Sequence, residues 1–466
     1  MTATATPALP AATPSPRSLW NATVGNVLEW YDWNVYAIFT PFFAPQLFDS
    51  RDPAGALLQS LMVFAVGFLT RPLGGLLLGR WGDRFGRRSA LTLSMVFMAA
   101  GSLLIAVCPT HSAAGWAAPL TVLLARLCQG LSAGGEFAAS SAYVVEVAPA
   151  GRRGLYSSAI YVSNAVGNLL AALLGVVLTR SLASAQMDSW GWRIPFLLGA
   201  GLAGYAFVLR RNLAEPRHSP DDPAEDGRRA GDTAAARGAR GGAPWRRPAA
   251  LLRVVGFTLA GTIVYYTWVV FLPSYATADG AVTASSALLA TTIAQLVFIA
   301  ALPLTGLLAD RVGARPLLLG FSAVFALLTV PLLALAPRSL GWLIGIECLG
   351  LLVYCGYGAV APLVMAEQFP PHSRVTGIGL PYGLTVSVFG GTAPYLAAAA
   401  GHAGHAVLYS AYVALASVAG LGFFLRLPRR RGVAGTTAGL AGAASPAAGH
   451  PVATITPDEG GTHVRG

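Results

Sequence analysis

Two carboxylates lie inside the first apolar stretch of the chain, in the run Gly25-Asn26-Val27-Leu28-Glu29-Trp30-Tyr31-Asp32-Trp33. Glu29 and Asp32 are three residues apart, so a helix puts them about 60° apart on one side, displaced by about one turn. An ionised side chain near the centre of a bilayer costs several kcal/mol, roughly, and tends to face a partner or a water-filled path. The plainer alternative is that both sit near a helix end and reach the headgroup layer. Three more charges interrupt apolar stretches: Arg71, Arg126 and Glu136. Arginine keeps its charge and offers a planar fork of donors, so Arg126 suits a carboxylate on a small molecule. A purely architectural ion pair is the other reading of Arg126. A carboxylate in low-dielectric surroundings takes up a proton more readily than one in water, which makes Asp32, Glu29 and Glu136 candidates for proton coupling.

Composition decides which elements can position such residues. The chain has 466 residues, 55% hydrophobic and 11% charged, with a mean hydropathy of +0.59. Soluble domains carry about 25% charged residues, so the composition is that of a polytopic membrane protein. The net charge of +11 would suggest nucleic acid in a soluble protein, but here the basic residues, all arginine, cluster between apolar runs. That is how a membrane protein marks its cytoplasmic side, and no nucleic-acid partner is expected. Cys108, Cys128, Cys348 and Cys355 fall in apolar runs without metal-like spacing, and His111, His402 and His405 form no metal set. No metal or cofactor is expected. The start of the chain lacks a basic region followed at once by a cleavable apolar core, so the first apolar run is expected to stay as helix 1.

Apolar runs of about 20 residues predict twelve helices, near 20–48, 55–79, 89–108, 117–147, 154–178 and 193–210, then 251–276, 285–309, 316–336, 340–366, 375–399 and 404–426. The expected organisation is a cytoplasmic N-tail over 1–18, a six-helix bundle over 19–210 and a flexible loop over 211–250. A second six-helix bundle over 251–426 and a C-tail over 427–466 complete it. With the N-terminus inside, 25 arginines fall in inner segments. Arg51, Arg180, Arg193 and Arg338 fall outside, and Arg71 and Arg126 lie within apolar runs. That asymmetry predicts both termini in the cytoplasm.

The two sets repeat one another. Gly79, Asp83, Arg84, Gly86 and Arg88 recur as Gly306, Asp310, Arg311, Gly313 and Arg315 at an offset of 227. Glu146, Pro149 and Arg153 recur as Glu367, Pro370 and Arg374 at an offset of 221. Two halves built alike, with a site between them, is a transporter plan. Counted along their helices at 1.5 Å per residue, Asp32 lies about 18 Å from the inner end of helix 1 and Arg126 about 10 Å from the outer end of helix 4. Both come to about the middle of a core roughly 30 Å thick, while Glu29 and Arg71 fall in the inner half as a structural pair. Three acids and two arginines would then leave one carboxylate of the N-half free to take a proton. The C-half is rich in aromatics; Tyr265 and Tyr266, mid-helix, are its candidates for lining the cavity.

The run Gly79-Arg80-Trp81-Gly82-Asp83-Arg84-Phe85-Gly86-Arg87-Arg88 resembles the loop motif of the major facilitator superfamily. Its second copy has Ala314 where the first has Arg87. Gly25-Asn26, Glu29-Trp30-Tyr31-Asp32, Arg71-Pro72-Leu73-Gly74, Arg126 with Gln129-Gly130, Gly134-Gly135-Glu136, and Gly191-Trp192-Arg193-Ile194-Pro195-Phe196 are similar to the metabolite:proton symporter family within it. The resemblance covers nearly all of the chain outside the tails and central loop. It implies an all-α fold of two pseudo-symmetric six-helix bundles, working as a monomer in the cell membrane. It also implies import, with protons, of small carboxylate-bearing or zwitterionic metabolites such as dicarboxylates, citrate, shikimate, proline or betaine. On it, Arg126, Asn26, Trp33 and Gln129 are expected at the substrate, with Tyr265 and Tyr266. Trp33 stands where phenylalanine is commoner, which alters the pocket's shape. Gly79, Asp83, Arg84, Gly86, Arg87 and Arg88, beside Glu146 and with Asp310 and Arg311 in the second copy, are expected to latch the inner face shut. A proton-driven exporter of the same superfamily and a non-transporting membrane sensor remain as alternatives. A membrane enzyme has no nucleophile–base set, metal box or phosphate loop to work with.

Overall fold

A computed structural model of the chain describes residues 16–48, 53–149, 151–211, 247–278, 282–335, 338–402 and 405–427. Most of the expected tails and central loop lies outside these residues. The described residues contain helices and turns and no strand. The first six long helices are α1 (Pro16–Leu47), α2 (Pro53–Phe85), α3 (Arg87–Ala106), α4 (Ala117–Val147), α5 (Arg153–Ser181) and α6 (Arg193–Arg211). The second six are α7 (Pro248–Tyr265, continued by Tyr266–Phe271 and Leu272–Ala278), α8 (Ala284–Val312), α9 (Ala314–Leu335), α10 (Leu340–Gly358, followed by Ala361–Ala366), α11 (Arg374–Thr385, continued to His402) and α12 (Ala406–Leu425).

Among the described residues, nine helices are long and apolar enough to cross a membrane. The other three long segments are α1, α4 and α11. The first two carry most of the buried charges of the N-half, and the third is interrupted by a wide π turn at Val386–Gly390. Another π turn, Tyr266–Phe271, precedes Pro273. Proline has no N–H to give and crowds the carbonyl four residues back, so a locally widened helix accommodates it.

Within the N-half α2 and α3 pack on α4, α1 on α5, and α3 on α6; within the C-half α8 packs on α10 and α9 on α12. Across the halves α2 packs on α11 and α5 on α8, which are equivalent pairs under the repeat. The stretch expected as a loop after residue 79 is instead helical to Phe85. Loss of apolarity marks where a helix leaves lipid; it does not end the helix. The break is Gly86, with φ 94°, and its repeat equivalent Gly313, with φ 88°, breaks α8 from α9 in the same way. Only glycine adopts that backbone at no steric cost.

Candidate functional site

Helices α1, α3 and α4 meet at a closed ring of polar side chains. Arg126 Nη1 donates to Gln129 Oε1 at 2.8 Å, and Gln129 Nε2 donates to Ser102 Oγ at 3.3 Å. Ser102 Oγ donates to Asp32 Oδ1 at 2.5 Å, and Asp32 Oδ2 stands 3.9 Å from Arg126 Nη1. Arg126 and Gln129 are fully buried, and Asp32 is 1% exposed. Aromatic faces hold the guanidinium: its centre lies 3.5 Å from the Tyr36 ring and 5.1 Å from the Trp33 ring. The ring leaves Arg126 Nε and Nη2 and Asp32 Oδ2 buried without a hydrogen-bond partner. Ser102 had no sequence signal, since a serine in an apolar helix usually bonds its own backbone.

A second pair lies beside the first. Arg71 Nη2 is 3.9 Å from Glu29 Oε1, and its guanidinium sits 4.3 Å from the Trp33 ring and 4.7 Å from the Phe68 ring. Trp33 thus stands between the two arginines, with its own Nε1 buried and unpartnered. Glu29 Oε2 and Arg71 Nε are unpartnered as well. Buried polar groups normally find partners, so the unpartnered groups gathered around this one tryptophan are unusual.

Glu136 differs from the other two acids. Arg210 grips it with both nitrogens, Nη2 to Oε1 at 2.5 Å and Nη1 to Oε2 at 2.8 Å. Ser94 and Ser140 donate to the same carboxylate, and Arg210 also donates to Leu91 O at 2.8 Å. The sequence places Arg210 among the basic residues of an inner segment, but it is fully buried. Glu29, Asp32 and Glu136 are thus all buried beside an arginine, and Glu136 differs in having both oxygens engaged in hydrogen bonds. A Cβ on Gly25 would come within 2.3 Å of Arg210 Nη2. The glycine of the Gly25-Asn26 pair makes the room for that guanidinium.

Asn26 ties two helices together. Its amide donates to Ile160 O and Ser163 Oγ, each at 2.8 Å, and to Asn164. These bonds clamp α1 to α5. Tyr265 and Tyr266 do lie where the halves face each other: Tyr265 meets the Trp30 ring edge-on at 5.7 Å and accepts from Asn168 at 2.9 Å. Tyr266 lies 6.2 Å from the Phe68 ring. With Tyr161, Tyr354 and Tyr382 they line a cavity of only about 20 Å³, room for about one water molecule.

The arginine-rich face holds the other expected cluster. Asp83 accepts from the backbone N–H groups of Val375 and Thr376 at 3.1 and 2.9 Å, at the first turn of α11. Asp310 accepts from those of Gly154 and Leu155 at 2.7 and 3.1 Å, at the first turn of α5. Each repeat aspartate thus caps the equivalent helix of the opposite half, where exposed N–H groups and the helix dipole favour an anion. Arg87 adds a bridge in the first copy, reaching Asp83 at 2.8 Å, Glu146 at 3.4 Å and Pro371 O. Arg374 closes on Glu146 at 2.7 Å. Gly79 lies against the Thr376 backbone, where a Cβ would sit 2.8 Å from its Cα. Arg84 and Arg311 are exposed, Arg84 lying over the Phe85 ring. Arg88 borders a surface cleft beside Trp81. Ala314 cannot repeat the Arg87 bridge in the second copy.

The Gly191–Phe196 motif is also structural: Arg193 donates to Ala106 O and Cys108 O at 2.7 Å, satisfying the carbonyls that end α3.

A family profile for the Major Facilitator Superfamily matches residues 22–380. The chain is 38% identical to an alpha-ketoglutarate permease of Escherichia coli (strain K12) over 89% of its length and 94% of that protein. It is 33% identical to a citrate-proton symporter of Klebsiella pneumoniae, over 90% of this chain and 94% of the other. A proline/betaine transporter of E. coli K12 is 30% identical over 82% of this chain and 77% of that protein. Among solved structures, the proton:xylose symporter XylE bound to 6-bromo-6-deoxy-D-glucose superposes with a TM-score of 0.71 at 19% identity, covering 89% of this chain and 96% of that one.

Proposed function

Because the chain belongs to the major facilitator superfamily, as a multi-pass membrane protein and not an enzyme, we propose that it imports a small organic acid or zwitterionic metabolite together with protons. The observation that carries this reading is Arg126, fully buried, with Nε and Nη2 unpartnered beside an Asp32 oxygen equally unpartnered. Asp32 and a substrate carboxylate compete for the same guanidinium. Protonating Asp32 removes its hold, and Arg126 can then offer its fork to the substrate. Proton and substrate binding thereby favour each other, and that linkage is what drives accumulation. The relatives named for alpha-ketoglutarate, citrate and proline/betaine set the panel to try first.

The test is uptake into proteoliposomes of labelled members of that panel, with and without an inward proton gradient. Gradient-driven uptake of at least one acid or zwitterion supports the proposal; efflux against the gradient would mean an exporter. Arg126→Lys keeps a charge but loses the fork, so apparent affinity should fall by about 1–3 kcal/mol, roughly 5- to 150-fold. The loss should be smaller for analogues without the carboxylate.

We place both termini in the cytoplasm, from the arginine distribution, and take the six-helix bundles as 19–210 and 251–426 in a monomer. A topology reporter at either terminus that reads the outer side would overturn the orientation. The bridge through Asp83, Arg87, Glu146 and Arg374 then holds the cytoplasmic face shut. Asp83→Asn should slow transport severalfold while changing substrate affinity little, because it shifts a conformational equilibrium and touches no pocket group. Asp310→Asn should do less, since its copy lacks the arginine. Equal effects, or a change of substrate preference, would contradict this assignment.

A further inference from the structure

Glu347 is, among the described residues, the one buried acid of the C-half, in the apolar helix α10 and 1% exposed. Among the described residues its one hydrogen bond comes from Thr291 of α8, at 3.3 Å, and the same hydroxyl also points to Ala287 O at 3.1 Å. Glu347 Oε2 is buried with no donor. Gln295, one turn along α8 from Thr291, is buried with its Oε1 equally without a donor.

Among the described residues no counter-charge pairs with this carboxyl. The charged residues of α8, Asp310 and Arg311, lie at its far end, where Asp310 is engaged by α5. Arg315 of α9 donates to Leu425 O, and Arg253 of α7 to Gln368, both again at the arginine-rich face. Cys348 is its neighbour in sequence, and Trp268 of α7 donates to the adjacent Ile346 O at 3.2 Å. The buried acids Glu29, Asp32 and Glu136 of the N-half each have an arginine within 3.9 Å. An ionised carboxylate here would be a buried charge served by half a hydroxyl. A proton on Oε2 removes the charge and turns an orphan acceptor into a donor, on the side of the bundle where Gln295 holds an orphan acceptor.

We propose that Glu347, with Thr291 and Gln295, forms a proton-binding site of the C-half, loaded in this conformation and separate from the Asp32–Arg126 ring. It does not depend on the transport reading, since a sensor built this way would hold the proton equally. The site adjoins the turn of α10 on which Trp268 and the wide turn of α7 rest. Loss of the proton would put a charge beside the joint that carries Tyr265 and Tyr266 to the N-half.

Infrared absorption of the full-length protein in lipid nanodiscs at pH 7 tests this. The wild type should show the carbonyl stretch of a protonated carboxylic acid that Glu347→Gln lacks, one carboxyl per chain. Gln295→Leu should keep that band and move it toward the frequency of an acid without an acceptor. If Glu347→Gln does not insert, the Gln295→Leu spectrum decides alone: a moved band supports the site, an unmoved spectrum refutes it. Identical wild-type and Glu347→Gln spectra would overturn the proposal. So would a melting temperature raised by sodium chloride but not choline chloride in the wild type and insensitive to sodium in Glu347→Gln. That result would make the side-chain oxygens of Glu347, Thr291 and Gln295 a sodium site.

Discussion

Asp32→Asn protein should exchange substrate across a membrane and fail to concentrate it. Asparagine keeps the shape and can still accept from Ser102, which donates to Asp32 Oδ1 at 2.5 Å in the wild type. What disappears is the charge that competes for Arg126 and the group that takes up the proton. With Arg126 permanently released, substrate binds at any pH and the link between the two gradients is cut. In proteoliposomes with one pH unit across the membrane, one-proton symport can reach about tenfold accumulation, since a tenfold ratio is worth about 1.4 kcal/mol. The variant should level off near a ratio of about one, while counterflow with substrate on both sides continues. Glu29→Gln is the comparison, because Glu29 faces Arg71 at 3.9 Å across the same tryptophan and also keeps one oxygen unpartnered. If Asp32→Asn still accumulates substrate and Glu29→Gln does not, the coupling acid is Glu29. If both still accumulate, neither pair couples the proton.

The charges that carry this prediction were legible in sequence for a simple reason. Glu29, Asp32, Arg71 and Arg126 interrupt apolar stretches, and a charge there has few bland explanations. Depth counted along two antiparallel helices put Asp32 and Arg126 at about the same level, and they lie 3.9 Å apart. Arg210 was hidden because it begins a run of basic residues at a helix end, where arginine is expected to face water. The available clue was Gly25, whose missing side chain leaves room for a guanidinium, but a glycine does not name its neighbour. Glu347 obeyed the same rule as Glu29 and was obscured by the aromatics around it. Asn26 was carried by motif membership alone, and an amide serves a helix clamp as readily as a ligand. The repeat was legible to the residue: Gly86 and Gly313 break their helices alike, and Asp83 and Asp310 cap equivalent helices. That each aspartate caps the opposite half could not be read from spacing, because sequence offsets record the duplication and not the packing.

Arg210→Met should cost the folded protein about 3–5 kcal/mol, the usual consequence of leaving one member of a buried ion pair behind. Glu136 would keep Ser94 and Ser140 as donors but lose both guanidinium bonds. Leu91 O would lose its donor too. The measurement is the thermal unfolding of purified protein, together with the yield of monodisperse protein from the membrane. Glu136→Gln combined with Arg210→Met should recover much of the loss, because the stranded charge is gone and the serines can serve an amide. Gly25→Ala should fall between, since its methyl would sit 2.3 Å from Arg210 Nη2 and force the guanidinium aside. A stable Arg210→Met protein would show that the pair holds nothing together. Coupling provides the discriminating readout between the two kinds of acid. If Glu136 only ties α4 to α6, the double variant should still concentrate substrate per folded molecule, whereas Asp32→Asn should fold normally and not concentrate it. A double variant that folds and cannot accumulate substrate would return Glu136 to the proton path, with Arg210 as the group that its protonation releases.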